Sequence, residues 1–392
     1  MLLSILPVDR DIVYFAGGEW NVFPPRGYDL MNVFASQGTR VLWVDPGATR
    51  VPKVAWNDLA RIGTRIRRIL TGTKNERENI WVCSPLAIPY DSNPWLRKLN
   101  LLFQNMQLKK AISSINIRRP VIWTTTPLAI ELIKTLESSL LIYDIQDEYT
   151  RFPGKDHALL SRCETHTLSV SDLVLVVSDR LKETKKAASP VPIHLVRNGV
   201  DYNLSSRAVH RDTEVPKEMK QIPGPIAGYI GNIYDRLDQE LIAGTAERLS
   251  EWSFVFIGLV RCDVERLSRL ENVYFLGMKP PSQLPGYMKA IDAGLIPHKV
   301  DSFTLCQNPV KLYEYLAAGL PVVSTPLPEL NPYKDFVRFG SHPEDFSSAL
   351  KKAIREKGAD IIGRRQEVAM QNRWELRAEQ AAELICSHLG PK

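Results

Sequence analysis

Cysteine is scarce and scattered in this sequence: Cys83, Cys163, Cys262, Cys306 and Cys386 are the five in 392 residues, with no Cys-x-x-Cys pair. An odd, dispersed set argues against both a disulfide framework and a structural zinc site. Long apolar runs are missing as well. No stretch reaches the roughly 18 uncharged apolar residues that a membrane-crossing helix needs. The opening Met1–Val8 lacks a basic flank and gives way at once to Asp9, Arg10 and Asp11, so it reads neither as a leader nor as a span. A cytoplasmic protein is expected. The basic residues lack aromatic interleaving and match no nucleic-acid module, so no nucleic-acid partner is expected.

What is present describes a soluble globular chain, with 44% apolar and 24% charged residues. At 392 residues it is too long for one ordinary core, and two domains follow. The net charge of +6 is uneven: residues 1–200 carry 26 basic and 19 acidic side chains (+7), residues 201–392 carry 24 and 25 (−1). A basic first half suits an anionic partner, or serves solubility alone.

Two series of short apolar runs alternate with helical or loop material. The first comprises Ile12–Ala16, Arg40–Val44, Ile80–Cys83, Val121–Thr124, Leu140–Tyr143, Leu173–Val177 and Ile193–Val196. The second comprises Ile226–Ile230, Phe254–Ile257, Val273–Leu276, Ala293–Ile296 and Val322–Ser324. Such alternation predicts two α/β domains, each a doubly wound parallel sheet with helices on both faces. The polar stretch 202–224, with Pro216, Pro223 and Gly224, reads as a linker, and the chain from about Asp360 to Leu389 reads as helical. Ligands in such folds sit at the carboxyl ends of the strands, so a cleft between the domains is the expected site.

The most informative stretch runs from Asn308 to Thr325. Asn308 suits a helix cap, Pro309 the first helical position and Gly319 the C′ position, while Pro321 forbids continuation and Val322-Val323 opens a buried strand. Lys311 and Glu314, three residues apart, share one side of that helix. A cation and a carboxylate near a helix N-terminus suit a phosphate and a sugar hydroxyl. The stretch resembles the nucleotide-sugar site of GT-B glycosyltransferases, particularly the large group that includes the retaining family-four enzymes. The resemblance implies that Glu314 binds the donor ribose and that the helix start faces the donor diphosphate.

Other motifs extend that resemblance along the chain. Arg197-Asn198-Gly199-Val200-Asp201 is similar to the Asn-Gly-Val-Asp signature ending the family's first domain, and Asn372-Arg373-Trp374-Glu375-Leu376-Arg377 to the Asn-x-Trp-x-x-Arg of its final helix. The implied architecture is GT-B: residues 1–201 an acceptor domain, 202–224 a linker, 225–358 a donor domain, and 359–392 helices that cross back to the first domain. Gly231, after the first strand of the second series, suits diphosphate contact. Relatives place Arg directly after this glycine and Lys a few residues on; here Asn232 takes the first position, leaving Arg236 or Lys311 to supply the charge. Lys299 is a further candidate for the donor phosphates, and His298 either binds the donor or closes the strand end. The family's first Glu of a Glu-x7-Glu pair is Cys306 here, read as a neutral filler.

On the acceptor side, Gly17-Gly18 follows the first strand and either approaches a ligand closely or makes a turn. Tyr143-Asp144-Ile145-Gln146-Asp147-Glu148-Tyr149 places three carboxylates after a strand and resembles a subgroup of cell-surface polysaccharide glycosyltransferases that includes teichuronic-acid enzymes. Asp144 and Asp147 would orient an acceptor hydroxyl or act as a base, or form a capping acidic turn. Gln146 stands where relatives carry His, which leaves Asp147 as the acceptor-side residue of choice. Asp9-Arg10-Asp11 is similar to a GT-A metal motif but precedes its strand, so no metal is expected.

The implied activity is metal-independent transfer, with retention, from a nucleoside-diphosphate-sugar co-substrate to a saccharide or lipid-linked acceptor, with no other cofactor. Lys311 and Asp147 are the expected catalytic residues. Asp58–Leu70 has an apolar stripe (Leu59, Ile62, Ile66, Ile69) beside Arg61, Arg65 and Arg68, which suits peripheral contact with the inner face of a membrane or packing on its own sheet. The alternatives are a non-catalytic nucleotide-sugar-binding or scaffold protein, and an epimerase on the same fold.

Overall fold

The computed structural model describes residues 11–20, 26–46, 72–86, 94–151 and 156–389. The amphipathic segment 58–70 lies outside the described residues. The chain divides into two compact units, residues 1–197 with 377–392 and residues 198–376.

The first unit holds an eight-stranded sheet in the order β3-β4-β2-β1-β5-β6-β7-β8. The strands are β1 (Ile12–Phe15), β2 (Val41–Val44), β3 (Lys74–Arg77), β4 (Ile80–Cys83), β5 (Val121–Thr124), β6 (Leu140–Ile145), β7 (Leu173–Val176) and β8 (Ile193–Leu195). All pair in parallel except β3, which is antiparallel to β4. Side chains alternate across a strand, so one face of the sheet stacks Tyr14, Trp43 and Trp123. The other presents Val13, Phe15, Leu42, Val44 and Ile122 to the helix Pro94–Ser114. Both faces are covered, which is why these strands read as unbroken apolar runs. Lys74-Asn75-Glu76-Arg77 carries no such signal: it is a charged, mostly exposed edge, where charge discourages pairing with other chains.

The second unit holds six parallel strands in the order β11-β10-β9-β12-β13-β14. They are β9 (Ile226–Ile230), β10 (Ser253–Ile257), β11 (Val273–Gly277), β12 (Ala293–Ile296), β13 (Val322–Ser324) and β14 (Val337–Phe339). Numbered within the unit, this is the 3-2-1-4-5-6 order of a dinucleotide-type sheet, and its order reverses between β9 and β12. The edge strand β14, only Val-Arg-Phe, is too short to announce itself in the sequence.

The unit boundaries differ from the sequence expectation in three places. Residues 202–224 are not a linker: they form the helices Tyr202–Ser205 and Lys217–Lys220, and Ala208 and Met219 are buried in the core of the second unit. Asn198–Asp201 also belongs to that unit, because Val200 pairs with Arg373 through Val200 N–H to Asn372 O (3.1 Å) and Trp374 N–H to Val200 O (3.2 Å). Third, the helix Ala359–Met370 stays with the second unit, packed on Val310–Ala317. Gln366 Nε2 donates to Ala317 O at 3.1 Å, and Arg365 donates to Gly319 O at 3.1 Å. Only residues from Arg377 onward, most of the helix Trp374–Leu389, group with the first unit.

Candidate functional site

The helix Val310–Ala317 buries Leu312, Tyr313, Tyr315 and Leu316 completely. Each such side chain contributes about 1.5–3 kcal/mol relative to exposure, which fixes the helix on its sheet. It ends as expected: Gly319 adopts φ +73, and Gly319 N–H and Leu320 N–H donate to Leu316 O and Tyr315 O, a Schellman closure. Its start differs from expectation. Pro309, not Asn308, occupies the N-cap and makes no side-chain cap bond. Asn308 is instead held from outside the helix. Its Oδ1 accepts from Asn198 N–H at 2.9 Å, its carbonyl accepts from Asn198 Nδ2 at 2.7 Å, and its Nδ2 donates to Tyr313 Oη at 3.2 Å. Tyr313 Oη continues to Tyr333 Oη (3.3 Å), and Tyr333 to Asn372 Oδ1 (3.5 Å). The two signatures around Asn198 and Asn372 thus brace the residue in front of the helix.

At the carboxyl end of β9 the backbone turns at Gly231 with φ +139. A side chain at this position would begin 2.6 Å from Lys311 Nζ, so the absent Cβ is what lets the ammonium lie against the turn. Lys311 Nζ also sits 5.0 Å from the centre of the Tyr229 ring. The turn continues through Asn232, whose Nδ2 donates to Tyr234 Oη at 3.3 Å and whose buried Oδ1 has no partner. Arg236 follows, its guanidinium 5.2 Å from the Tyr234 ring and its buried Nε without a partner. Leu237 bridges to His298, and Lys299 N–H donates to Arg236 O at 2.8 Å, so the end of β12 lies against this turn.

His298 is 3% exposed, and neither ring nitrogen makes a well-aligned hydrogen bond, although the Gln307 side chain is near enough to oppose part of the fall in its pKa. Gln307 is the polar side chain beside it. Burial holds the imidazole well below its ordinary pKa, and the charges of Arg236 and Lys311 push it lower still. Two cations thus act on one buried imidazole near the point where the strand order reverses. Glu314, one turn after Lys311, is half-buried. Burial pushes its carboxyl up, Lys311 opposes the rise and Asp201 adds to it. Lys299 is exposed, and its charge acts on Cys262 rather than joining the pair beside His298. Cys306 is buried, with Sγ 3.6 Å from Ser302 O.

In the first unit the structure separates the three clustered carboxylates. Asp144 is fully buried and serves as counter-charge to Arg26, whose Nε lies 3.1 Å away; it also accepts from Trp123 Nε1 at 3.3 Å. Glu148 is buried too, bonded to Lys185 Nζ at 2.5 Å, and Lys185 reaches Glu164 at 2.7 Å. Asp147 remains half-buried, and its charge helps burial to raise the Tyr149 hydroxyl well above its ordinary pKa. Gly17 is exposed, and a Cβ there would lie 3.5 Å from Thr125 Oγ1 and 3.7 Å from Tyr149 Oη; Gly18 faces open space. Gly17, Thr125, Tyr149 and Asp147 thus gather at the carboxyl ends of β1, β5 and β6. Sequence reasoning singled out neither Arg26, Lys185 and Tyr149 here nor Tyr229, Gln307 and Tyr333 in the second unit, because isolated residues of these types carry no pattern. Among the described residues, no group of three or more His, Cys, Asp or Glu is placed to hold a metal ion.

Two doubly wound units of this order define the GT-B glycosyltransferase fold. Over 96% of its length the chain superposes on sucrose-phosphate synthase from Thermosynechococcus elongatus, covering 98% of that chain (TM-score 0.69, 15% identity). It likewise superposes over 96% on HepE from Anabaena, solved with UDP and glucose, covering 99% of that chain (TM-score 0.65, 16% identity). Residues 224–356 match the family described as glycosyl transferases group 1. The chain is 31% identical over 283 residues to TuaH of Bacillus subtilis (strain 168), described as a teichuronic acid biosynthesis glycosyltransferase, spanning 67% of this chain and 70% of TuaH. The chain belongs to the group 1 glycosyltransferases.

Proposed function

We infer that this enzyme moves a sugar from a nucleoside-diphosphate donor to an acceptor hydroxyl, without a metal, in building a cell-surface polysaccharide or glycolipid. The observation that carries the reading is Lys311 lying against the Gly231 turn, with Arg236 further along the same turn where it pairs with the end of β12 at His298. Cleaving the bond between the anomeric carbon and the diphosphate leaves negative charge on the departing phosphate. Fixed cations in a partly desolvated site stabilise that charge most where it develops, at the transition state. His298, held neutral, donates or accepts a hydrogen bond without adding charge. Glu314 takes the ribose hydroxyls, and Asn308, Pro309 and Asn232 line the donor. In the first unit, the Gly17–Gly18 turn and Asp147 orient the acceptor hydroxyl, and the Asp147 carboxylate takes its proton as the oxygen bonds to the anomeric carbon and the diphosphate departs.

The UDP and glucose bound in HepE, and the teichuronic-acid assignment of TuaH, both support this reading. Incubation with UDP-, GDP-, ADP- and dTDP-sugars, with free nucleoside diphosphate as the readout in excess EDTA, tests it. Release from one donor class, stimulated by a saccharide or lipid-linked acceptor, is the expected result. Binding without any release would mark a non-catalytic nucleotide-sugar protein.

A further inference from the structure

The helix Pro94–Ser114 is apolar on two opposite sides. Leu108 and Ala111, with Leu101 and Ile112, pack into the core of the first unit. Trp95, Leu99, Leu102, Phe103 and Met106 point away from it and are 80%, 40%, 56%, 44% and 60% exposed. Their spacing of i, i+4, i+7, i+8 and i+11 is one stripe on a helix. Leu86, 41% exposed, adjoins the stripe through its N–H to Gln107 Oε1 (3.1 Å), and a groove of about 430 Å³ opens beside Trp95, Leu99, Leu102 and Thr135. A contiguous apolar patch of this kind on a soluble unit marks an interaction surface.

The charge around the stripe identifies its occupant. The helix has Arg97, Lys98, Lys109 and Lys110 and no acidic residue. Lys98, Lys109 and Lys110 are exposed; helical spacing sets Lys98 and Lys109 along one border of the stripe and Lys110 at its end, one turn beyond Met106. The chain's own amphipathic segment 58–70 has four Arg against one Asp, and a second copy would oppose the same cations, so both are repelled. An anionic surface with an apolar interior is not. We propose that this face of Pro94–Ser114 lies on an anionic lipid bilayer, the stripe seated at the acyl boundary and the three lysines against lipid phosphates. This surface is independent of the donor site, and among the described residues no helix is long and apolar enough to cross a membrane.

Flotation of the full chain with phosphatidylcholine vesicles, with and without phosphatidylglycerol, tests the proposal. The wild type is expected to float only with the anionic vesicles and to detach as salt is raised. The triple variant L102N/F103N/M106Q and, separately, K98E/K109E/K110E should each lose at least about tenfold in partitioning. Circular dichroism and nucleotide binding check that the variants are folded; the charge variant leaves the apolar residues in place should the first misfold. No flotation of the wild type overturns the proposal. So does undiminished flotation of both folded variants, which would assign the contact to another segment, or a wild-type dimer that the triple variant abolishes without affecting flotation.

Discussion

Asn198 grips Asn308 at two points, its N–H on the side-chain oxygen at 2.9 Å and its side-chain amide on the backbone carbonyl at 2.7 Å. Both residues are buried, and the bonds set the chain just before the helix that carries Lys311 and Glu314. A hydrogen-bonded residue in this position replaces a helix cap, so the register of the helix Val310–Ala317 depends on the signature around Asn198.

Removing the Asn308 side chain takes away, in a buried place, the oxygen that accepts from Asn198 N–H and one of the partners of Tyr313 Oη. Leaving such a group unsatisfied costs about 1–3 kcal/mol. Asn308→Ala should therefore lower the melting temperature, and combining it with Asn198→Ala, which removes the separate bond from Asn198 Nδ2 to Asn308 O, should depart from the sum of the two losses, since residues in contact couple. Thermal unfolding of the three variants measures this; strict additivity would separate the two residues.

Gly231→Ala puts a methyl group 2.6 Å from Lys311 Nζ at a φ of +139. Backbone strain there costs about 1–3 kcal/mol, and the ammonium must also leave the turn. Nucleotide affinity should fall together with stability. Gly363→Ala, in the exposed middle of Ala359–Met370 with nothing within 4 Å, should gain about 0.5–1 kcal/mol and leave affinity unchanged. Equal effects of the two substitutions on nucleotide affinity, read by calorimetry, would remove Gly231 from the site.

How far the sequence revealed this arrangement depended on how local each cause was. Gly319 and Pro321 end the helix Val310–Ala317 by their own backbone limits, so they are readable in place. Lys311 and Glu314 were readable because helical spacing alone puts them on one side. Asn308 was read as a cap because its partner Asn198 is 110 residues away, and no local pattern reports such a bond. The same distance problem hid Arg26, 118 residues from Asp144, and turned a supposed acceptor-side acid into half of a buried ion pair. The stretch 202–224 reads as a linker because its polar residues outnumber the scattered apolar ones that anchor it, Ala208 and Met219 with Tyr202, Val215 and Ile222.

His298 should make the second unit acid-sensitive. Its folded pKa lies well below the unfolded value of about 6.5, so the unfolded chain takes up the proton first. The stability it contributes is fully present above about pH 6.5 and is lost as the pH falls towards the folded value, with a limiting slope of about 1.4 kcal/mol per pH unit. His298→Gln keeps a neutral polar side chain and should flatten melting temperature against pH between about 6.5 and 5. An unchanged profile would mean that the ring is not held neutral.

The most direct measurement is calorimetric titration of the wild type, Lys311→Ala and Glu314→Ala with UDP, GDP, ADP and dTDP. One nucleoside diphosphate should bind the wild type selectively. Each variant should lose about 10- to 100-fold in affinity while keeping its fold, as expected for a lost bond to a charged group of about 1.5–3 kcal/mol. Wild-type affinity in both folded variants, or no binding of any nucleoside diphosphate to the folded wild type, would contradict a donor site at the junction of β9, β12 and the Val310–Ala317 helix.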